Sequence, residues 1–454
     1  MEALIDMGRS VSARNKLRST LLNAWIRPGL RQKSRDWQEA RRKLAGRPHV
    51  VTAFLQLDDP YSYLLSRYLP ALAEHYDIEL RIHLSEALGA DYQPAPDMLA
   101  EYATADCARV ALELGLPFLD KSSTPPVEHR RGLLAALALR AGEDDFVDVL
   151  LRFLEIYWRG DTEAAARRVQ AGADGAAAAV IATAREELDR LGHYSSAMLH
   201  YGGEWYWGVD RLHYLTRRLD ELGVARSDGG HPLLASINQV MHIDLPFSPP
   251  AAAQELPPLE LFYSFRSPYS QLCLRRVYEL ADAFGLQLIL RPVLPMAMRG
   301  MSVPKRKIGY IVRDAMREAE THGIPFGDCM DPLGEAVERC HAVFAYAQSE
   351  KRAREFLLHA AELIWGQAVD AATDQGMRKI TAKTGLFWPE AKQAMDNDDW
   401  REEEAANQQL MLSLGSWGVP TICMGDYVVW GQDRIWLLAR HIEELCDTGE
   451  GILV

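Results

Sequence analysis

The stretch "LFYSFRSPYSQLC", residues 261–273, decides the fold. Leu261, Phe262, Tyr263 and Phe265 form a short apolar run rich in aromatics, the composition of a buried strand. Ser267-Pro268 ends that run. A serine hydroxyl there caps a free backbone N–H. Proline at the first helical position loses nothing by lacking its own. The residues that follow, "YSQLCLRRVYELADAF", carry apolar side chains at helical spacing. The stretch predicts a strand, a tight turn and a helix.

The pattern occurs twice. "AFLQLDDPYSYLLSRYLPALAEHYDIEL" (53–80) aligns without a gap with "LFYSFRSPYSQLCLRRVYELADAFGLQL" (261–288) at an offset of 208. The offset holds for "ELGLPF" (113–118) against "THGIPF" (321–326). It becomes 223 where "YGGEWYWGVDRLHYL", from 201, meets "MGDYVVWGQDRIWLL", from 424. A repeat on this scale sets the architecture. It predicts copies at 50–225 and 257–450, a basic helical N-terminal arm at 1–49 and a linker at 226–256. The linker is rich in Pro, Gly and Ser, although its apolar "LLASINQVM" can dock on a domain.

Each copy runs strand, helix, strand, long helical section, hairpin and last helix. In the second copy the helical section covers about 304–412, and the hairpin "PTICMGDYVVW" turns at Gly425-Asp426. The last helix, "DRIWLLARHIEELC", has apolar residues at 435, 438, 442 and 445. A β-α-β half followed by a β-β-α half predicts an α/β protein of two tandem thioredoxin-like domains, each with an inserted helical subdomain.

Composition narrows the class. The 454 residues are 48% hydrophobic and 25% charged, with a net charge of −13, which argues against a general nucleic-acid binder. Charge is uneven: residues 1–50 hold twelve Lys or Arg and four Asp or Glu. Leu17, Leu21, Leu22 and Trp25 fall at helical spacing in this arm. We expect a basic helix docked on the acidic body, with peripheral contact to an anionic membrane as the less favoured role. No run of 18 apolar residues exists, and no secretory leader is evident. Six scattered cysteines without a C-x-x-C pair predict reduced thiols and a cytoplasmic setting. The thirteen histidines show no ligand spacing, so no metal site is expected.

Three places carry chemistry. Ser267-Pro268-Tyr269-Ser270 has serines where a redox C-P-x-C turn has sulfurs. As a helix start the serine is an ordinary cap, yet a helix N-terminus also favours an anion, a thiolate included. Val419-Pro420, in "SWGVPTICMG", suits a cis-proline before a strand, whose preceding residue can pair with an extended ligand. Gln432 and Asp433, in "WGQDR", would open the last helix. Asp433 there complements the helix dipole, or grips the ammonium group of a zwitterionic ligand.

With these residues in place, copy two resembles the DsbA-like branch that contains 2-hydroxychromene-2-carboxylate isomerase and kappa-class glutathione transferase. The shared motifs are "SPYS" (267–270), "GVPT" (418–421) and "WGQDR" (430–434). The segments at 303–326 and 356–380 resemble the family's helical insert. The resemblance implies glutathione as cofactor, with Ser267 hydrogen-bonding its thiolate. It implies that Val419, before the cis-proline Pro420, pairs with the cysteinyl unit. Asp433, with Gln432 beside it, would hold the γ-glutamyl end, and a lysine of the insert a glutathione carboxylate: Lys305 first, with Arg306 and Lys307 crowding it. Copy one departs from this pattern: Asp59 replaces the serine and Ala197 the proline, and only Asp210 and Arg211 of the last motif remain. We read it as a degenerate partner that supplies an internal pseudo-dimer, with a homodimer as a further option.

The expected function is a glutathione-dependent isomerase acting on an unsaturated or aromatic carbonyl compound. A kappa-type transferase, a thiol–disulfide oxidoreductase and a non-catalytic binding protein are the alternatives.

Overall fold

Strand β1 (His49–Leu55) is buried from Val51 onward. It pairs in parallel with β2 (Ile78–Leu84) and antiparallel with β3 (Met198–Tyr201), which turns back as β4 (Glu204–Trp207). Helix α1 (Pro60–Ser66) leaves β1 through Asp59, whose carboxylate accepts the N–H groups of Tyr61 and Ser62. Helix α2 (Pro96–Glu113) packs on α1, and further helices run to Leu191 before β3. Helix α3 (Leu212–Glu221) follows β4, and α4 (Pro232–Met241) packs on it. The computed structural model describes residues 16–17, 19–86, 91–117, 127–168, 174–241 and 256–448.

The second sheet repeats the order. Strand β5 (Leu259–Tyr263) pairs in parallel with β6 (Leu288–Pro292) and antiparallel with β7 (Thr421–Met424), which pairs with β8 (Tyr427–Trp430). The two sheets are thus β2-β1-β3-β4 and β6-β5-β7-β8. Helix α5 (Pro268–Ala283) joins β5 to β6. A helical insert begins with α6 (Lys305–Thr321) and ends with α7 (Trp400–Ser413). Helix α8 (Ile435–Thr448) closes the domain.

The hairpin turns at Gly425-Asp426, as the sequence predicts. Gly425 has φ 56°, a left-handed conformation that glycine adopts without a side-chain clash.

Alternation along the strands sorts this core. Leu261, Tyr263, Ile422 and Val429 face α5 and α8, meeting Val277, Leu280, Ile435, Leu438 and Ile442. The opposite faces carry Phe262, Cys423 and Val428 against Met411 of α7. Each such side chain contributes about 1.5–3 kcal/mol by leaving water, so the register that sets this sorting is strongly specified.

The chain divides into two compact units, Lys33–Asp244 and Met1–Gln32 with Leu245–Val454. The expected arm, 1–49, is therefore shared: its first part belongs to the unit that contains the second sheet. The boundary falls inside the helix Pro28–Leu44. Residues 1–15 of the arm and 242–255 of the linker lie outside the described residues. Within the linker, α4 buries Leu234, Ile237 and Met241.

Of the four apolar residues at helical spacing in the arm, Leu22 packs on the core and Trp25 lies against α6, and polar residues share the docking. Asn23 exchanges two 3.0 Å hydrogen bonds with the backbone of Cys329, and the Asp331 N–H donates to Ser19. Ile26 joins the core, and the Arg313 guanidinium lies 3.7 Å over the Trp25 ring. Leu17 and Leu21 are each 64% exposed. Paired polar groups thus hold the arm to this unit. Among the described residues no helix is long and apolar enough to cross a membrane.

Candidate functional site

The site is built where β5 ends and α5 begins. Ser267 has extended backbone (φ −96°, ψ 116°) and caps α5: its oxygen accepts the Ser270 N–H at 3.1 Å. The Ser270 hydroxyl in turn accepts from the Ser264 N–H at 3.4 Å, fastening the turn to the strand. The Ser267 hydroxyl donates to the Val419 carbonyl at 3.2 Å. The peptide Val419-Pro420 is cis, as the sequence suggested. The Pro420 carbonyl accepts from the Gly431 N–H at 2.9 Å. These bonds draw all three sequence motifs to one place.

The Val419 loop is firmly held. Thr421 donates to the Gly418 carbonyl at 2.7 Å and accepts from the Ser416 hydroxyl at 2.6 Å. Trp430 covers Gly418 so closely that a Cβ there would sit 2.5 Å from its Nε1. Trp417 packs on Trp430, ring centres 4.7 Å apart. On the far side, the Arg299 guanidinium donates to the Trp417 carbonyl at 2.8 Å.

Gln432 and Asp433 form a short 3₁₀ turn before α8. Gln432 is buried, and its amide is engaged. Its oxygen accepts from Arg276 of α5 at 2.8 Å, and its nitrogen donates to Glu318 of α6 at 2.8 Å and to Asp433. Gln432 therefore ties α5, α6 and the turn together, which orients Asp433. Asp433 itself is half-buried.

Lys305 is exposed at the first position of α6. Lys307 is half-buried, and burial lowers its pKa. Seven residues on, two helical turns away on the same face, Asp314 accepts the Tyr269 hydroxyl at 2.9 Å and pairs with Arg317 at 2.6 Å. The face of α6 beside the Ser267 turn thus carries Lys307. The sequence places both lysines within one turn, and only packing separates them.

All six cysteines are buried. Burial raises the Cys273 thiol well above its ordinary pKa, and pushes those of Cys329, Cys340 and Cys423 up to about 12. Such thiols are poor nucleophiles. Among the described residues no group of His, Cys, Asp or Glu is arranged to hold a metal. Trp365 and Trp417 are buried. Trp365 stacks on Phe326 and donates to the Phe265 carbonyl, a core role.

The first unit repeats this scaffold. The Tyr61 hydroxyl donates to Asp106 at 3.0 Å, as Tyr269 does to Asp314. The Gln56 N–H donates to Ser62 at 3.1 Å, as Ser264 does to Ser270. Asp59, in place of Ser267, is saturated by the N–H groups of Tyr61 and Ser62 and by the hydroxyls of Ser62 and Ser196. Burial raises its pKa against the pull of those bonds.

With this geometry in view, comparison with known proteins is specific to the C-terminal part. Residues 258–443 match the DSBA-like thioredoxin domain family. A 2-hydroxychromene-2-carboxylate isomerase of Pseudomonas putida is 22% identical over 196 residues, covering 41% of this chain and 95% of that protein. A protein of the same name from Sphingobium xenophagum is 23% identical over 194 residues, covering 40% and 97%. Among solved structures, a 2-hydroxychromene-2-carboxylate isomerase aligns with TM-score 0.37 and 23% identity, over 42% of this chain and 97% of that one. A probable DsbA oxidoreductase of Streptomyces coelicolor aligns with TM-score 0.35 and 16% identity, over 44% and 92%. Residues 258–443 of this chain are a DsbA-like thioredoxin domain, and its curated relatives are isomerases.

Proposed function

We propose that the C-terminal domain is a glutathione-dependent isomerase of the 2-hydroxychromene-2-carboxylate isomerase type. The observation that carries this reading is the Ser267 hydroxyl, a neutral donor at a helix start and beside Val419, in a turn without cysteines. Its bond to the Val419 carbonyl is long for O–H···O, where about 2.7–2.8 Å is usual. A thiolate is the stronger acceptor, since charge-assisted bonds are roughly twice as strong. The residues therefore fit a thiol ligand. Bound glutathione would supply a sulfur that adds to, and then leaves, an unsaturated carbonyl carbon, with bond rotation in between and no net change in electrons.

The chain's own residues bind and orient. Ser267 turns its proton from the Val419 carbonyl to the sulfur, and the N-terminus of α5 adds its partial positive charge. Val419 offers backbone to the cysteinyl unit, with Pro420 fixing the loop. Asp433, held by Gln432, takes the ligand's ammonium group. Lys307 takes a ligand carboxylate in place of Lys305. The first unit, Lys33–Asp244, is a degenerate thioredoxin-like copy that acts as a structural partner. Its matching Tyr–Asp and turn hydrogen bonds support this. The buried cysteines weigh against disulfide exchange.

Incubation with 2-hydroxychromene-2-carboxylate, followed by absorbance, tests the activity. Turnover that requires added glutathione is expected. Equal turnover without glutathione, or stable conjugate formation in place of isomerisation, would overturn this reading, the second outcome in favour of a transferase.

A further inference from the structure

The helix Pro28–Leu44 is built inside out. A helix packed on a globular body normally turns its apolar side chains inward and its charged ones to water. Here no residue of the helix is buried, and the face that finds partners is polar. Arg31 pairs with Glu320, and Arg35 donates two bonds to Glu204 at 2.6 and 2.8 Å. Gln38 lies beside Gly203. Residues 31, 35 and 38 recur at helical spacing and mark one face.

A second face carries the apolar residues. Leu30, Trp37 and Leu44 follow at seven-residue steps, two helical turns each, and so form a stripe along the helix. They are 47%, 57% and 90% exposed. Of the ten large apolar side chains exposed among the described residues, six fall at residues 17–44. The exposure therefore belongs to this segment, unlike the single apolar residues that any surface scatters.

Cations flank the stripe. At 100° per residue, Lys33 falls on one side of it and Arg41 on the other, and both are exposed. The Arg41 guanidinium lies 5.3 Å from the centre of the Trp37 ring. The helix holds six Lys or Arg against two Asp or Glu, in a chain whose net charge is −13. An anionic surface would attract this helix and repel the body, which fixes the side that meets it. Leucine and tryptophan on a basic helix suit the headgroup layer of a bilayer: the stripe enters the acyl boundary, tryptophan sits at that level, and cations reach phosphates on either side. A second copy of the chain is the poorer occupant, because a two-fold interface sets this helix against itself and brings like charges together.

We propose that the outward face of the helix Pro28–Leu44 docks this protein on an anionic membrane surface, through Leu30, Trp37 and Leu44 with Lys33 and Arg41. The contact is peripheral, and it stands apart from the reaction proposed above.

Cosedimentation of the full chain with vesicles tests this, using equal parts phosphatidylserine and phosphatidylcholine against phosphatidylcholine alone. Binding to the anionic vesicles is expected, weakening as salt rises, with at least about tenfold less on the neutral ones. The double variant Trp37→Ala/Leu44→Ala should lose about 10- to 100-fold in affinity. Lys33→Glu/Arg41→Glu should lose at least about tenfold. All four positions are exposed, so both variants should melt with the parent protein. Equal binding to both kinds of vesicle, or to neither, would overturn the proposal. So would parent-like binding by Trp37→Ala/Leu44→Ala, which would leave a basic patch that only attracts countercharge. Light scattering covers the rival occupant: a parent dimer that Trp37→Ala/Leu44→Ala splits, without vesicle binding, would overturn the proposal in favour of a contact between copies. If that variant unfolds, the charge variant and the lipid dependence decide.

Discussion

The Ser267 hydroxyl and the Val419 carbonyl meet across 3.2 Å, joining the start of α5 to the loop before β7. Capping and ligand binding make different demands on this residue, and the first unit separates them. Asp59 caps its helix by accepting two backbone N–H groups, and in place of a hydroxyl donor it presents a carboxylate. Ser267→Asp should therefore keep the cap: aspartate and serine are near-equal N-caps, so thermal stability should change by no more than about 1 kcal/mol. A carboxylate facing a thiolate repels it, so glutathione binding should fall below detection. A melting curve and a calorimetric titration of the one variant check both halves. Parent-like glutathione affinity in Ser267→Asp would show that the residue is only a cap.

Two lysines compete for one role. Lys307→Met should weaken glutathione binding about tenfold, the scale of one charge-assisted bond, while Lys305→Met should leave it within about twofold. Side-by-side titrations of the two variants decide the assignment, and the reverse ranking would return the role to Lys305.

His341 supplies a pH test of the domain beneath the site. It is 3% exposed, 5.3 Å from the Phe265 ring and 4.8 Å from Trp400. Burial, with Arg401 nearby, lowers its pKa to about 3. An unfolded histidine titrates near 6.5. Between those values the unfolded chain holds a proton that the folded chain lacks. Stability is therefore lost as pH falls from about 6.5 toward 3, by at most about 1.4 kcal/mol per pH unit. His341→Phe should flatten the denaturation midpoint against pH between about 6 and 4, and an unchanged slope would assign the acid sensitivity elsewhere.

Much of this was legible because it is local. Ser267-Pro268 reads as a helix start from two residues, Gly425-Asp426 reads as a hairpin, and 435, 438 and 442 read as one helix face. Each depends on backbone sterics or periodicity within one element. The offset of 208 made Asp59 visible as the counterpart of Ser267.

What stayed hidden depends on partners far along the chain. That Glu318 and Arg276 engage the Gln432 amide, linking α5 and α6 to the turn that carries Asp433, shows only in the packed structure. Lys305 and Lys307 differ only by which side of α6 is packed. The arm's helical spacing did not show that Ser19 and Asn23 would help dock it, beside Leu22, by pairing with backbone groups of Cys329 and Asp331.

The most direct test of the central claim, that Ser267 holds glutathione as a thiolate, is a proton count. Calorimetric titration of glutathione at pH 7, in two buffers of different ionisation enthalpy, gives the protons released on binding. A free thiol titrates near 8.5, so binding as thiolate should release nearly one proton per site. Ser267→Ala should bind more weakly and release clearly fewer. Binding without proton release, or release unchanged in Ser267→Ala, would contradict it.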